Sequence, residues 1–405
     1  METPEGVVAD LISRAAGFSI SDLVDALIWQ AHTMRASDIH IDPTDTTLKI
    51  RLRVDGVLQE VFLLQKNIHT EVISRIKVLA WLRTDEHQAA QDGRFRVSKE
   101  GSLPIDVRVS ITPTYFGENA VLRLLAEAPE SHTLTSLGFS ALDQERIVRA
   151  MTRPHGMLLA TGPTGSGKTT TLYTLIQMLN TKEVSIITIE DPIEYAISNV
   201  TQIQLQPKTG LTFAAGLRSI LRQDPNIIMV GEIRDAETAK VSVNAALTGH
   251  LVLSTLHTSD AATTLPRLLD MGVDAYLVAS TVSVAIGQRL LRTLCQHCRR
   301  EMHVTEVEYD FLQRHVQGLI CKDEPFFIGT GCDACRGTGY MGRIGIYEVL
   351  VVDREVHDAI LARAPAADIR KVAIQNGMTT LFQDGFNKAL AGHTSIAEVL
   401  RTVYE

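Results

Sequence analysis

Nothing in the 405-residue chain is long and apolar enough to read as a membrane span. The longest such run, Ala275 to Gly287, is broken by Ser and Thr and falls short of the roughly 18 residues a bilayer demands. Cysteine is scarce too: five residues exclude a disulfide scaffold. Aromatic residues make up only 5% and the formal charge is −8, so the chain lacks the basic, ring-lined surface on which single-stranded nucleic acids stack. Glycine (27) and proline (13) are at ordinary levels, which excludes collagen-like and linker-dominated chains. The opening METPEGVVAD is acidic where a secretory signal would be basic and then apolar, so the expected compartment is the cytoplasm. With 45% hydrophobic residues the chain reads as globular, and about 150 residues per domain predicts two or three domains.

Residues 1–20 read as an N-terminal tail. From Ser21 the run SDLVDALIWQAHTMRA has helical spacing, with Ser21 or Asp22 as its N-cap. Then Leu48, Ile50, Leu52 and Val54 alternate with Lys49, Arg51, Arg53 and Asp55, and Asp55-Gly56 supplies a hairpin turn. A helical run around Glu71 to Leu82 and the alternating stretches RFRV, IDVRVSI and AVLRLL complete a small α+β domain over 21–126. Residues 127–139 carry a proline without clear period and read as a linker. From 140 to 405 the texture is that of a parallel α/β sheet. GMLLATG, SIITIED, NIIMVGE and HLVLSTLH are continuous apolar strands, covered by helices on both faces. Each ends in polar residues, at the sheet edge where ligands of open α/β folds bind.

The first of these strands runs into Gly162-Pro163-Thr164-Gly165-Ser166-Gly167-Lys168-Thr169, followed by Thr170 at the start of a helix. This fits the phosphate-binding P-loop in full: glycines let backbone N–H groups curl around phosphates, Lys168 reaches the β and γ oxygens, and the Thr169 hydroxyl holds Mg²⁺. Hydrolysis further requires a carboxylate to orient water. Glu190, Asp191 and Glu194 cluster after the second strand and Glu232 follows the third. Gly231 occupies the place of the usual acidic residue, so Mg²⁺ coordination and water activation stay open among Glu190, Asp191 and Glu232. His250 and His257 bracket the fourth strand; His257, at the C-terminal edge, is expected to sense the γ-phosphate or to relay to a neighbouring element.

Cys295-x-x-Cys298 and Cys332-x-x-Cys335 form two CxxC pairs within residues 291–340. Without a redox-type context, four thiolates point to a closed tetrahedral Zn²⁺ site. Cys321 is left as a plain thiol, and His297 and His303 are surplus to the ligand count. Helical spacing in REVHDAILARA, IRKVAIQNGM and IAEVLRTVYE makes 353–405 a helical C-terminal subdomain.

Taken together, GPTGSGKTTTLY, EDPIEY, LRQDPNIIMVGEIRDAETA and TGHLVLSTLHT resemble the Walker A, Asp box, Walker B and His box of the secretion ATPases. The two Cys pairs and GYMGRIGIYEVL narrow the resemblance to the type II secretion and type IV pilus assembly ATPases, since retraction motors typically lack those pairs. The resemblance implies a PAS-like N-terminal domain opened by RASDIHIDP, a RecA-like P-loop ATPase domain, and a ring of six. It also implies that Arg108 and Arg123 reach the nucleotide from the N-terminal domain and that Arg218 and Arg222 lie near the phosphates. Asp191, Glu194 and His250 are further candidates for the nucleotide site on the residues themselves, His250 equally as a structural histidine. Members usually carry a further N-terminal domain that docks to an inner-membrane partner; about twenty residues precede Ser21 here.

The expected function is a cytoplasmic, homo-hexameric ATPase, peripheral at the inner face of the bacterial inner membrane through its partners. It would use ATP, Mg²⁺ and Zn²⁺ to assemble a type IV pilus or type II pseudopilus through an inner-membrane platform protein, with no direct nucleic acid contact. The alternatives are a RecA-like nucleic-acid translocase or helicase, which would share the P-loop and sheet, a DNA-uptake pilus motor, and a scaffold that binds nucleotide without turnover.

Overall fold

The computed structural model describes residues 19–98, 104–125, 132–303 and 325–404. The chain divides after residue 129 into two units, and each is described by itself.

In the first unit the opening helix spans Ile20–Thr33, two or three residues earlier than the sequence predicts: the Ser19 side chain caps it and Asp22 lies in the first turn, where a negative charge suits the helix dipole. Six strands follow: β1 (Ala36–Pro43), β2 (Thr47–Val54), β3 (Val57–Gln65), β4 (Gln91–Val97), β5 (Ile105–Thr114) and β6 (Gly117–Leu125). They form one antiparallel sheet in the order β3-β2-β1-β6-β5-β4. Asp55 and Gly56 both adopt positive φ, which sets the tight turn between β2 and β3. Leu48, Ile50 and Leu52 are buried with Leu23 and Ile28 of the first helix and Val72, Ile73 and Ile76 of the helix His69–Leu79. One sheet face is thus covered, while the other carries the arginines.

The second unit begins with a difference from the sequence reading. Part of the expected linker is structured: Thr133 caps a short helix, Leu134–Leu137, and Leu134 and Phe139 are buried in the core of this unit. Phe139 stacks on Tyr347 at 3.5 Å, so apolar burial there overrides the aperiodic pattern.

The strands of this unit are β7 (Gly156–Thr161), β8 (Ile186–Glu190), β9 (Thr201–Gln204), β10 (Ile227–Val230), β11 (Leu251–Leu256), β12 (Val282–Leu294), β13 (Arg299–Met302), β14 (Phe326–Gly329) and β15 (Tyr340–Val351). Seven make one sheet in the order β15-β12-β7-β11-β10-β8-β9. It is parallel from β12 to β9, and only the β12–β15 pair is antiparallel. Every residue of β7, β8, β10 and β11 is buried, as continuous apolar strands between two helical layers require. β13 and β14 form a separate antiparallel ribbon.

The C-terminal helices serve two cores rather than one subdomain. Arg354–Leu361 and Ala366–Gln375 bury Val356, Ile360, Ile369 and Ala373 with the central sheet. Leu381–Leu390 and Ile396–Tyr404 instead pack Phe382, Phe386, Ile396 and Val399 around Leu291, Phe326 and Ile346.

Candidate nucleotide site and metal centre

The parallel strands β7, β8, β10 and β11 all end at the same edge, and the P-loop leaves that edge between β7 and the helix Lys168–Leu179. Gly162, Gly165 and Gly167 have φ of 149°, 79° and 87°, a region that costs glycine little and other residues much. Pro163, Thr164 and Gly165 form the exposed rim, while Ser166 is buried. Lys168 folds back over the loop, donating to the carbonyls of Gly162 (2.8 Å) and Pro163 (3.0 Å). Burial is the main influence on its ammonium and lowers it to about 8, although the neighbouring Glu232 charge pulls the other way. Ser166 Oγ is buried and has no hydrogen-bond partner among the described residues, an orphan that a phosphate oxygen would satisfy. The loop therefore fits a nucleotide phosphate. Thr169 and Thr170 are half-buried in the first helical turn.

Hydroxyls at the strand ends fix the acidic side of the site. Thr255 Oγ1 donates to the Gly231 carbonyl and Ser254 Oγ to that of Val230, while Ile233 N–H donates to the Thr255 carbonyl. Glu232 is thereby held beside His257: its Oε2 lies 3.0 Å from His257 Nε2, and its Oε1 accepts from Arg234 Nη2 at 2.5 Å. Burial alone would raise the Glu232 carboxyl, but the bonds from Arg234 and His257 outweigh it and hold it below its ordinary value. The Asp191 charge also acts on Arg234. Gly231 has a steric reason: a Cβ there would come within 3.2 Å of the Ile189 carbonyl oxygen and 3.3 Å of Glu190 Cα.

Glu190 ends β8 and is buried, its carboxylate accepting from Thr188 Oγ1 (2.5 Å), Gln202 Nε2 (3.1 Å) and the Tyr173 hydroxyl. Burial and this carboxylate push the Tyr173 phenol far upward, so it stays a donor. Glu194 is half-buried in the following loop, its N–H 3.4 Å from the same hydroxyl.

His250 does not join this cluster, a correction to the expectation that placed it in the nucleotide site. It precedes β11 and its carbonyl accepts from Gly156 N–H at the start of β7, so it stands at the opposite end of the strands that deliver His257 and the P-loop. Its Nδ1 lies 2.9 Å from the Ala245 carbonyl, a local helix-end contact. Arg218 pairs with Glu237 at 2.7 Å, and Arg222 Nη1 donates to the Arg218 carbonyl. Arg108 and Arg123 are cross-strand neighbours on β5 and β6, and Arg123 Nε lies 3.0 Å from Asp38 Oδ1.

Arg234, Thr255 and Thr258 carry geometry that the motifs did not single out. Thr258 N–H donates to Thr161 Oγ1 at 3.1 Å, tying the end of β11 to the end of β7. The signal available was the hydroxyl-rich STLHT after an otherwise apolar strand.

Cys295, Cys298, Cys332 and Cys335 converge, with all four sulfurs within 4.8 Å of one another. The Sγ–Sγ distances are 3.8 Å (Cys295–Cys332) and 3.7 Å (Cys298–Cys335 and Cys332–Cys335). Those three distances match the edge of a regular tetrahedron whose centre lies about 2.3 Å from each corner, the zinc–thiolate length. Burial would raise the Cys335 thiol, but N–H groups of Cys332 and Gly339, each 3.2 Å from its sulfur, hold it down to about 6. The donor set fits zinc. Cys321 lies outside the described residues.

Residues 15–401 match the family described as "Type II/IV secretion system protein". The chain is 46% identical over 394 residues to type II secretion system protein E of Xanthomonas campestris, covering 97% of this chain and 68% of that protein. It is 42% identical over 398 residues to type II secretion system ATPase E of Vibrio cholerae, covering 98% and 78%. With the type IV pilus assembly ATPase PilB of Thermus thermophilus it shares 43% over 385 residues, which is 94% of this chain but only 43% of that relative's length. Among solved structures, the pilus retraction motor PilT with bound ADP superposes with a TM-score of 0.62 at 25% identity, covering 93% and 96%. The ATPase DotB of Legionella pneumophila gives 0.70 at 24%, covering 95% of both chains, a likeness of fold. No helix among the described residues is long and apolar enough to cross a membrane. The chain belongs to the type II/IV secretion system protein family, among its type II secretion and type IV pilus assembly ATPases.

Proposed function

We propose that the chain hydrolyses ATP to drive assembly of a type II secretion pseudopilus or a type IV pilus. It works as a homo-hexamer beneath an inner-membrane platform protein and is held at the membrane through its partners. The observation that carries this reading is the meeting, at one sheet edge, of the P-loop with a carboxylate kept ionised by Arg234 and His257. In this reading Lys168 takes the β and γ oxygens, Thr169 holds Mg²⁺, and Glu232 accepts the proton of the attacking water. Glu190, which already accepts from three donors, holds the Asp box in place rather than acting as the base. His257 orients Glu232 and reports on the γ-phosphate. Arg108, Arg123, Arg218 and Arg222 supply cations that come into play when domains or subunits move. Zn²⁺, bound by the four cysteines without an open position, is structural.

The test is steady-state ATP turnover of the protein beside Glu232→Gln, with and without single- and double-stranded DNA. Nucleotide binding should persist in the variant while turnover falls by about two orders of magnitude or more. Near-normal turnover in Glu232→Gln would transfer the base role to Glu190, and strong stimulation by DNA would favour a translocase.

A further inference from the structure

β12 lies beside β7, and at the end of β7 it is the strand that flanks the P-loop. Its residue Gln288 is 1% exposed, yet both of its amide atoms are used. Nε2 donates to the Ser166 carbonyl at 2.7 Å, and Oε1 accepts from Thr171 Oγ1 at 2.9 Å. The Gln288 backbone closes on the loop as well: a Cβ on Gly162 would come within 2.5 Å of its carbonyl oxygen. One buried side chain therefore joins the P-loop to the helix that follows it, with Lys168, Thr169 and Thr170 between the two anchored points.

From this we infer that Gln288 is a positioning residue for nucleotide binding, setting the orientation of the Ser166–Gly167 peptide. In a planar trans peptide the C=O and N–H point in opposite directions. Pinning the Ser166 carbonyl toward Gln288 therefore aims the Gly167 N–H away from it, toward the concave side of the loop, where P-loop amides receive phosphate. Gly167 has φ of 87° and is intrinsically free to rotate, so its peptide is the one most in need of an outside anchor. The Thr171 bond fixes the other end, so that the first helical turn, with its outward N–H groups, keeps one angle to the loop. The role rests on the reading of this loop as an ATP site.

The experiment compares the full chain with Gln288→Met, which keeps length but loses both bonds, with Thr171→Val, which loses one, and with Gln288→Glu. Dissociation constants for Mg-ADP and ATP, turnover and melting temperature are measured from pH 6 to 9. Gln288→Met should weaken nucleotide binding by about tenfold, the scale of a lost buried hydrogen bond, and Thr171→Val by less. The Glu variant provides the discriminating profile. As a neutral acid it can donate to Ser166 and accept from Thr171, so its affinity should approach the parent's at low pH and fall further below it as pH rises. A folded Gln288→Met protein with parental affinity would overturn the role, as would a Gln288→Glu protein whose affinity relative to the parent's stays the same across the pH range. Should Gln288→Met fail to fold, unchanged affinity in Thr171→Val together with a Glu-to-parent affinity ratio that does not change with pH would have the same force. If the parent itself binds neither nucleotide, the ATP-site reading falls, and this role with it.

Discussion

Lys168 shows at the scale of one residue how burial and charge compete. Its ammonium is held over two carbonyls and lowered to about 8 chiefly by burial. Bound phosphates favour the charged form, so nucleotide binding at pH above about 8 must take up a proton. Affinity for ATP should accordingly fall as pH rises through that value, and titration calorimetry in buffers of different ionisation enthalpy should show proton uptake at pH 9 that is small at pH 7. Lys168→Ala should bind more weakly and lose this dependence. Lys168 and Thr169 were legible in the sequence because the P-loop is local: all its parts fall within eight consecutive residues. Gln288 was not, since it acts from 122 residues away and carries no spacing relation to the loop. Arg234 stood in a recognised motif, but its pairing with Glu232 depends on side-chain direction.

At the scale of elements, β12 matters beyond its place in the sheet, since it runs from the P-loop brace at Gln288 to Leu294, and Cys295 follows directly. The last helix is pinned to the same strand through Glu398, which accepts from Arg292 and Arg401; burial opposes its ionisation, but those bonds win and hold it at about 2. The knuckle is a separate element, so Cys332→Ser should lower bound zinc below one equivalent and melt the β13–β14 ribbon earlier while nucleotide affinity stays near that of the parent. Zinc assay and thermal melting check this; a full equivalent of tightly held zinc in the variant would show that four thiolates are not needed. The CxxC pairs gave their partners away by residue type alone. The short helix Leu134–Leu137 did not, because Leu134 and Phe139 are buried by tertiary neighbours rather than by a periodic stripe of their own.

At the scale of the whole molecule, the chain matches 43% of the length of one pilus assembly ATPase and 68–78% of two secretion ATPases. If the working form is a ring whose sites draw arginines from mobile units, specific ATP turnover should rise with protein concentration in step with assembly. Activity and sedimentation measured over the same dilution series test that; turnover constant across the range, with a single monomeric species, would leave the ring without support. The sequence by itself determined the kinds of chemistry present: a phosphate loop, acids at strand ends and four thiolates. Each is made of short local patterns, the eight-residue loop, the acids at the ends of apolar runs and the two CxxC pairs, so local spacing is enough to reveal its parts. Only the tertiary structure showed that Glu232 pairs with Arg234 and His257, that Glu190 accepts from three donors, that His250 stands at the strand edge opposite the P-loop, and that Gln288 bonds both Ser166 and Thr171. Those outcomes depend on the order in which parallel strands lie side by side, and strand order is set by packing across distances that no local pattern records.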